Sequence, residues 1–107
     1  MGKLPKRYEK FLETYPAVGQ AYRELGDAVA DAGPLDAKVR SLVKIGISIG
    51  SRQEGATRSH VRKALEAGAT PEEIRHAILQ ATTTVGFPNM MAGQSWADDI
   101  LEEASRG

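Results

Sequence analysis

With 107 residues, 14 basic and 14 acidic side chains and no cysteine, the chain has the size of one domain, a formal net charge of zero and no thiol. The charge balance excludes the basic excess of a nucleic-acid binder and gives no pull toward anionic membranes. The absence of cysteine excludes disulfides, thiolate metal sites and thiol nucleophiles. No metal or other cofactor is expected.

Nothing reaches the roughly 18 consecutive apolar residues of a membrane span. The stretch MGKLPKRYEKFLE has no apolar leader core, and Met1-Gly2-Lys3-Leu4-Pro5-Lys6 lacks the Ser or Thr of a lipid-attachment signal. A cytoplasmic chain is the expectation.

The periodicity predicts six helices and no strand. The first runs from about Pro5 to Thr14, with Tyr8, Phe11 and Leu12 on one face. Pro16 suits the first turn of a second helix carrying Val18, Tyr22, Leu25 and Val29, which stops at Gly33-Pro34. A third starts at Leu35-Asp36 with Asp36 as N-cap. Its Val39, Leu42, Val43, Ile45, Ile47 and Ile49 are apolar almost all round, which predicts burial on most sides.

The fourth helix holds Arg52-Gln53-Glu54-Gly55-Ala56-Thr57-Arg58-Ser59-His60 and continues through Val61, Ala64 and Leu65 to a stop at Gly68. Thr70-Pro71-Glu72-Glu73 has the form of a capping box, and it starts a fifth helix with Ile74, Ala77, Ile78 and Ala81 on one face. Gly86-Phe87-Pro88 ends that helix. The last runs from about Pro88 to Ala104 with Met90, Gly93, Ala97, Ile100 and Leu101 on one side, leaving residues 105–107 frayed.

The chemistry concentrates on the fourth helix. Residues 53, 56 and 60 are spaced i, i+3 and i+7, one face over two turns. His60 is the candidate acid or base, because an imidazole titrates near neutral pH. The bland alternative is a half-buried His making one structural hydrogen bond. Gln53 can hydrogen-bond a ligand, and Ala56 leaves space.

Glu54 and Arg58 have the i, i+4 order of a helix ion pair, worth a few tenths of a kcal/mol on a solvated face. The sharper reading has Arg52 or Arg58 receiving a substrate carboxylate through the guanidinium fork. His76 lies off the apolar stripe and reads as a surface residue. Met90-Met91 near Trp96 reads as core or subunit interface. Thr82-Thr83-Thr84 either lines a cavity or bonds its own backbone.

Cys in place of Gln53 and Ala56 would turn the segment into a CxxC followed by His, the active-site pattern of alkylhydroperoxidase D-like proteins. LDAKVRSLVKIGISIGSRQEG, SHVRKALEAGATPEEIRHAILQA and TVGFPNMMAGQSWADDIL together resemble the carboxymuconolactone decarboxylase family from about Leu35 to Leu101. The resemblance implies an all-α, alkylhydroperoxidase D-like fold assembled as a homo-oligomer, a trimer or a hexamer of trimers, with His60 near a cleft between subunits.

Thiol members of that superfamily reduce peroxides. That carry-over fails at Gln53 and Ala56, and Ser41 stands where a further acid would fall, so a family-level label of peroxiredoxin activity is unsupported by the residues. Decarboxylase members also lack the cysteine pair and keep the His, here His60. Their acid substrate implies a small anionic ligand oriented by Arg40, Arg52 or Arg58, with Gln53 and Glu54 as further candidate contacts. The leading reading is a lyase doing His-assisted acid–base chemistry. The alternative is a non-catalytic small-ligand-binding or assembly protein on the same fold.

Overall fold

In the computed structural model, residues 5–106 are described. The expectations for a lipid-attachment signal at residues 1–6 and for the tail at residues 105–107 fall partly outside these residues. The described residues form six α-helices and one 3-10 turn, with no strand among them. None of these helices is long and apolar enough to cross a membrane. The chain divides into two compact units, with the boundary in the sequence between Leu35 and Asp36.

The first unit is a helical hairpin of α1 (Lys6–Thr14) and α2 (Pro16–Asp31). Pro16 opens α2, where its missing N–H costs nothing. Gly19 is the buried residue of α2, and a Cβ there would collide with the Leu12 side chain, so glycine lets the two helices approach. Val18, Tyr22, Leu25 and Val29 form the expected stripe, and all four are exposed.

The second unit contains α3 (Ala37–Gly50), α4 (Glu54–Glu66), α5 (Pro71–Leu79), the 3-10 turn Gln80–Thr83 and α6 (Phe87–Arg106). Helix α3 starts where its N-cap predicts: Asp36 Oδ1 accepts from Val39 N at 2.9 Å. At the end of α4, Gly68 takes φ +98. Its N–H donates to Leu65 O, and Ala69 N donates to Ala64 O at 2.9 Å. This is a Schellman stop with glycine in the left-handed position.

The capping box of α5 is complete. Glu73 N donates to Thr70 Oγ1 at 3.0 Å, and Thr70 N donates to Glu73 Oε1 at 2.9 Å. Glu73 also pairs with Lys38 Nζ at 3.0 Å, tying α5 to α3. Thr70→Ala removes the acceptor of one orphan N–H and is expected to cost about 0.5–2 kcal/mol. A urea titration of the variant checks this, and an unchanged midpoint would refute it.

The core joins Ile45 and Ile49 of α3, Val61 and Ala64 of α4, Ile74 and Ile78 of α5, and Met90, Ala97, Ile100 and Leu101 of α6. Gly93 lets α6 approach closely: a Cβ there would lie 2.7 Å from Ile49 Cδ1 and 3.3 Å from Ile78 Cγ2.

Three expectations need correction. The third helix is not buried on most sides: Val39, Val43 and Ile47 are 37, 46 and 62% exposed. Spaced i, i+4 and i+8, they form a stripe opposite the face that packs on α4, α5 and α6 within residues 36–106. The fifth helix ends at Leu79 and tightens into the 3-10 turn instead of running to Gly86. The last helix continues through Ser105 and Arg106 rather than fraying after Ala104.

Candidate functional site

The motif segment is not helical from its first residue. Helix α4 begins at Glu54; Gln53 is its N-cap, with extended φ −103 and ψ 94. Arg52 is left-handed at φ 57. Arg52 N donates to Ile49 O at 3.0 Å and Gln53 N to Ser48 O at 2.9 Å, so α3 ends in the same type of stop as α4. Here an arginine fills the position glycine usually takes, at a cost of about 1–2 kcal/mol. The expected helical face of residues 53, 56 and 60 therefore reduces to Ala56 and His60. Gln53 and Arg52 are exposed in the turn that precedes them.

Beneath this turn lies a buried hydroxyl pair linking α3 to α4. Ser48 Oγ and Thr57 Oγ1 are 2.8 Å apart. Ser48 Oγ also reaches Ile45 O at 2.7 Å, and Thr57 Oγ1 reaches Gln53 O at 2.9 Å. Two hydroxyl protons serve three contacts, so the Ser48–Thr57 bond forms when one hydroxyl turns from its carbonyl. Both side chains are nearly inaccessible, at 5 and 0% exposure, so neither meets solvent. They fix the register of the two helices.

That register sets the surroundings of His60. On α4, His60 lies nearly one turn beyond Thr57; on α3, Lys44 lies one turn before Ser48. Lys63 follows His60 by three residues, on the same face. The ring is half-buried. Its Nδ1 is enclosed and has no hydrogen-bond partner, the only such side-chain nitrogen or oxygen among the described residues.

Burial, reinforced by the charges of Lys63 and Lys44, pushes the imidazole below its ordinary value near 6.5. The folded protein therefore favours the neutral ring. The unfolded chain binds this proton near pH 6.5 and the folded one only at lower pH. Stability present above about 6.5 is thus lost as the pH falls through the folded value. Glu73, held below the usual carboxylate range by the Thr70 N–H and by Lys38, contributes its own loss at more acidic pH. We expect the urea midpoint to fall between pH 7.5 and 5, and His60→Gln to flatten that fall. An equal slope in the variant would remove His60 from this account.

The carboxylate of Glu54 and the guanidinium of Arg58 in the motif are engaged with one another. Arg58 Nε donates to Glu54 Oε2 at 3.1 Å, the helix pair its spacing predicts. Arg58 Nη2 also donates to Asp99 Oδ2 at 2.8 Å, which fastens α4 to α6. The bond to Asp99, above all, strengthens the guanidinium's hold on its proton. Away from the motif, His76 is exposed and Thr82 bonds its own backbone, donating to Leu79 O at 2.7 Å. Met90 is in the core, whereas Met91 is 49% exposed.

The site is thus a half-buried imidazole between two helices, flanked by two ammonium groups, in a chain without thiols. The fold and this site define a cysteine-free all-α protein with a half-buried histidine on its fourth helix. The family model for carboxymuconolactone decarboxylases matches residues 16–99, from the start of α2 into α6. The chain belongs to the carboxymuconolactone decarboxylase family.

It is 35% identical over 103 residues to an uncharacterized 15.0 kDa protein of Paracoccus denitrificans, covering 89% of this chain and 71% of that one. It is 36% identical over 63 residues to an uncharacterized protein of Haemophilus influenzae, covering 59% of this chain and half of that one. The nitrosuccinic acid decarboxylase of Metarhizium robertsii is 34% identical over 73 residues, covering 64% of this chain and 51% of that enzyme. The chain therefore spans about half the length of the latter two relatives.

Proposed function

We propose that the protein is a decarboxylase-type lyase acting on a small anionic substrate, with His60 as the proton-transferring group. The observation that carries this reading is the imidazole itself: half-buried, with one nitrogen enclosed, and biased toward its neutral form in a chain that has no thiol. The family, and the similarity to a nitrosuccinic acid decarboxylase, support the same reaction class.

A substrate carboxylate settles beside the ring under the attraction of a basic side chain. Its charge offsets the nearby cations, and the ring takes up a proton from water. The bond from carboxylate to carbon breaks and CO2 leaves. The electron pair stays on that carbon, spread into an adjacent electron-withdrawing group. His60 then delivers its proton to the carbon and returns to the neutral form. Of the other candidate contacts, Arg52 and Gln53 stand exposed in the α3–α4 turn, whereas Glu54 and Arg58 already satisfy each other.

The test is CO2 release by the purified protein from small acids bearing an electron-withdrawing group next to the departing carboxylate, nitrosuccinate and lactone acids among them. Release above the buffer rate is expected for at least one; none from any would overturn the reading. A second reading, a small-ligand-binding or assembly protein, draws on the enclosed Nδ1 of His60, which no hydrogen-bonded group orients. We further infer a homo-oligomer, a trimer or hexamer, in the cytoplasm. The exposed stripes of α2 and α3 (Val18, Tyr22 and Leu25; Val39, Val43 and Ile47) supply apolar surface for association.

A further inference from the structure

We propose that Lys44 of α3 and Lys63 of α4 are the specificity-determining residues of the His60 site, holding the ligand's carboxylate between them against the exposed edge of the ring. This rests on the reading of His60 as the proton-transferring group and assigns the basic partner which that reading leaves open.

Placement and the engagement of other cations single out these two lysines. The Ser48–Thr57 contact at 2.8 Å brings α3 and α4 into register, so Lys44 and His60, each about one turn away from that pair and toward the same end of the hairpin, lie side by side. Lys63 is one turn further along the His60 face. Neither lysine makes a hydrogen bond or ion pair among the described residues, and both are exposed, free to swing over the ring.

Other basic side chains of this unit are committed or misplaced, Arg40 being among the engaged ones. Lys38 is on Glu73, Arg75 on Asp98, and Arg58 on Glu54 and Asp99. Arg62 is two residues from His60 and so points to another side of α4. Arg52 is eight residues before it, at the far end of the helix, and Lys63 and Lys44 are the cations whose charges bear on the imidazole. Two unpaired ammonium groups beside a neutral ring repel each other when the site is empty, and a carboxylate between them relieves that repulsion.

With Nδ1 enclosed and unpartnered, Nε2 is the nitrogen that can meet such a ligand. Lysine's flexible stem lets two ammonium groups from different helices converge on one small anion.

The experiment follows the His60 ring by NMR during titration with succinate, a probe carboxylate, at ionic strength matched with NaCl. His76→Gln removes the second imidazole from the spectra. In the parent protein, succinate should raise the pH at which His60 protonates. Lys44→Gln and Lys63→Gln should each raise the half-saturating succinate concentration at least about tenfold, as a lost hydrogen bond to a charged group implies. Lys44→Arg should recover much of the binding. Both lysines are exposed, so the variants are expected to fold. Equal succinate binding in parent and variants would overturn the proposal and leave His60 as an anion-responsive site. A ring indifferent to succinate in the parent would also overturn it. Neither result decides CO2 release, which is measured separately.

Discussion

Ile78→Ala should destabilise the unit formed by α3–α6 by about 2–5 kcal/mol, the usual cost of truncating a fully buried isoleucine. Ile78 is 0% exposed and lies beneath Gly93 of α6, close to Ile49. The position opposite it has no side chain that can swing into the void. Ile49 is itself held between α3 and α6, and the backbone at Gly93 is part of a 20-residue helix. The cavity would therefore persist, which places the expected value in the upper half of the range. Against the 5–15 kcal/mol that hold a typical domain, such a loss is large. Urea denaturation followed by helical circular dichroism measures it. A loss below about 1 kcal/mol would mean that α5 and α6 do not meet as closely as the Gly93 contact requires.

His60→Gln should lower turnover by about 10²- to 10⁴-fold on whichever acid the CO2 assay identifies, the usual contribution of a positioned acid–base group. Glutamine keeps a polar side chain on the same face of α4 but cannot carry a proton between water and carbon. Fold stability at neutral pH should change little. The enclosed Nδ1 has no partner to lose, and the cost of charging a half-buried ring arises only at lower pH. The two readouts separate chemistry from folding. If kcat is unchanged while the variant folds normally, another group moves the proton. If folding collapses at neutral pH, the imidazole is a structural element, and the bland reading of a core histidine prevails.

The segments most legible in the sequence are those whose partners lie within a few residues. Asp36 caps α3, Thr70 and Glu73 cap α5, Gly68 stops α4 and Glu54 pairs with Arg58; each is a local bond between residues three to five apart. The end of α3 was opaque for the same reason in reverse. Its stop has the hydrogen bonds of the one at Gly68 but places Arg52 in the left-handed position. Without a glycine there, nothing in the residue types shows that the helix has ended, and Gln53 reads as the first of a helical face it does not join. The 3-10 turn after Leu79 was hidden too, because Ile74, Ala77, Ile78 and Ala81 keep a helical spacing across it.

The site divides along the same line. His60 stands out in the bare sequence because its neighbours have the spacing of a redox motif from which both cysteines are absent. Lys63 could have been found from its i+3 spacing. Lys44 could not, because its place beside the ring depends on how α3 slides along α4, and the buried Ser48–Thr57 pair records that register.

Residue types and short spacings thus determined the helical class, the helix boundaries at Pro16, Asp36, Gly68 and Thr70, the family and the identity of the titrating group, all governed by forces acting within about a turn. Only the packed structure decided which side of α3 is covered, that Arg58 is held by Asp99 as well as Glu54, and which cations lie beside His60. Those depend on the distance and register between helices. These are set by the summed packing of many side chains around Gly93 and the Ile45–Ile78 core, information that no short stretch of chain contains.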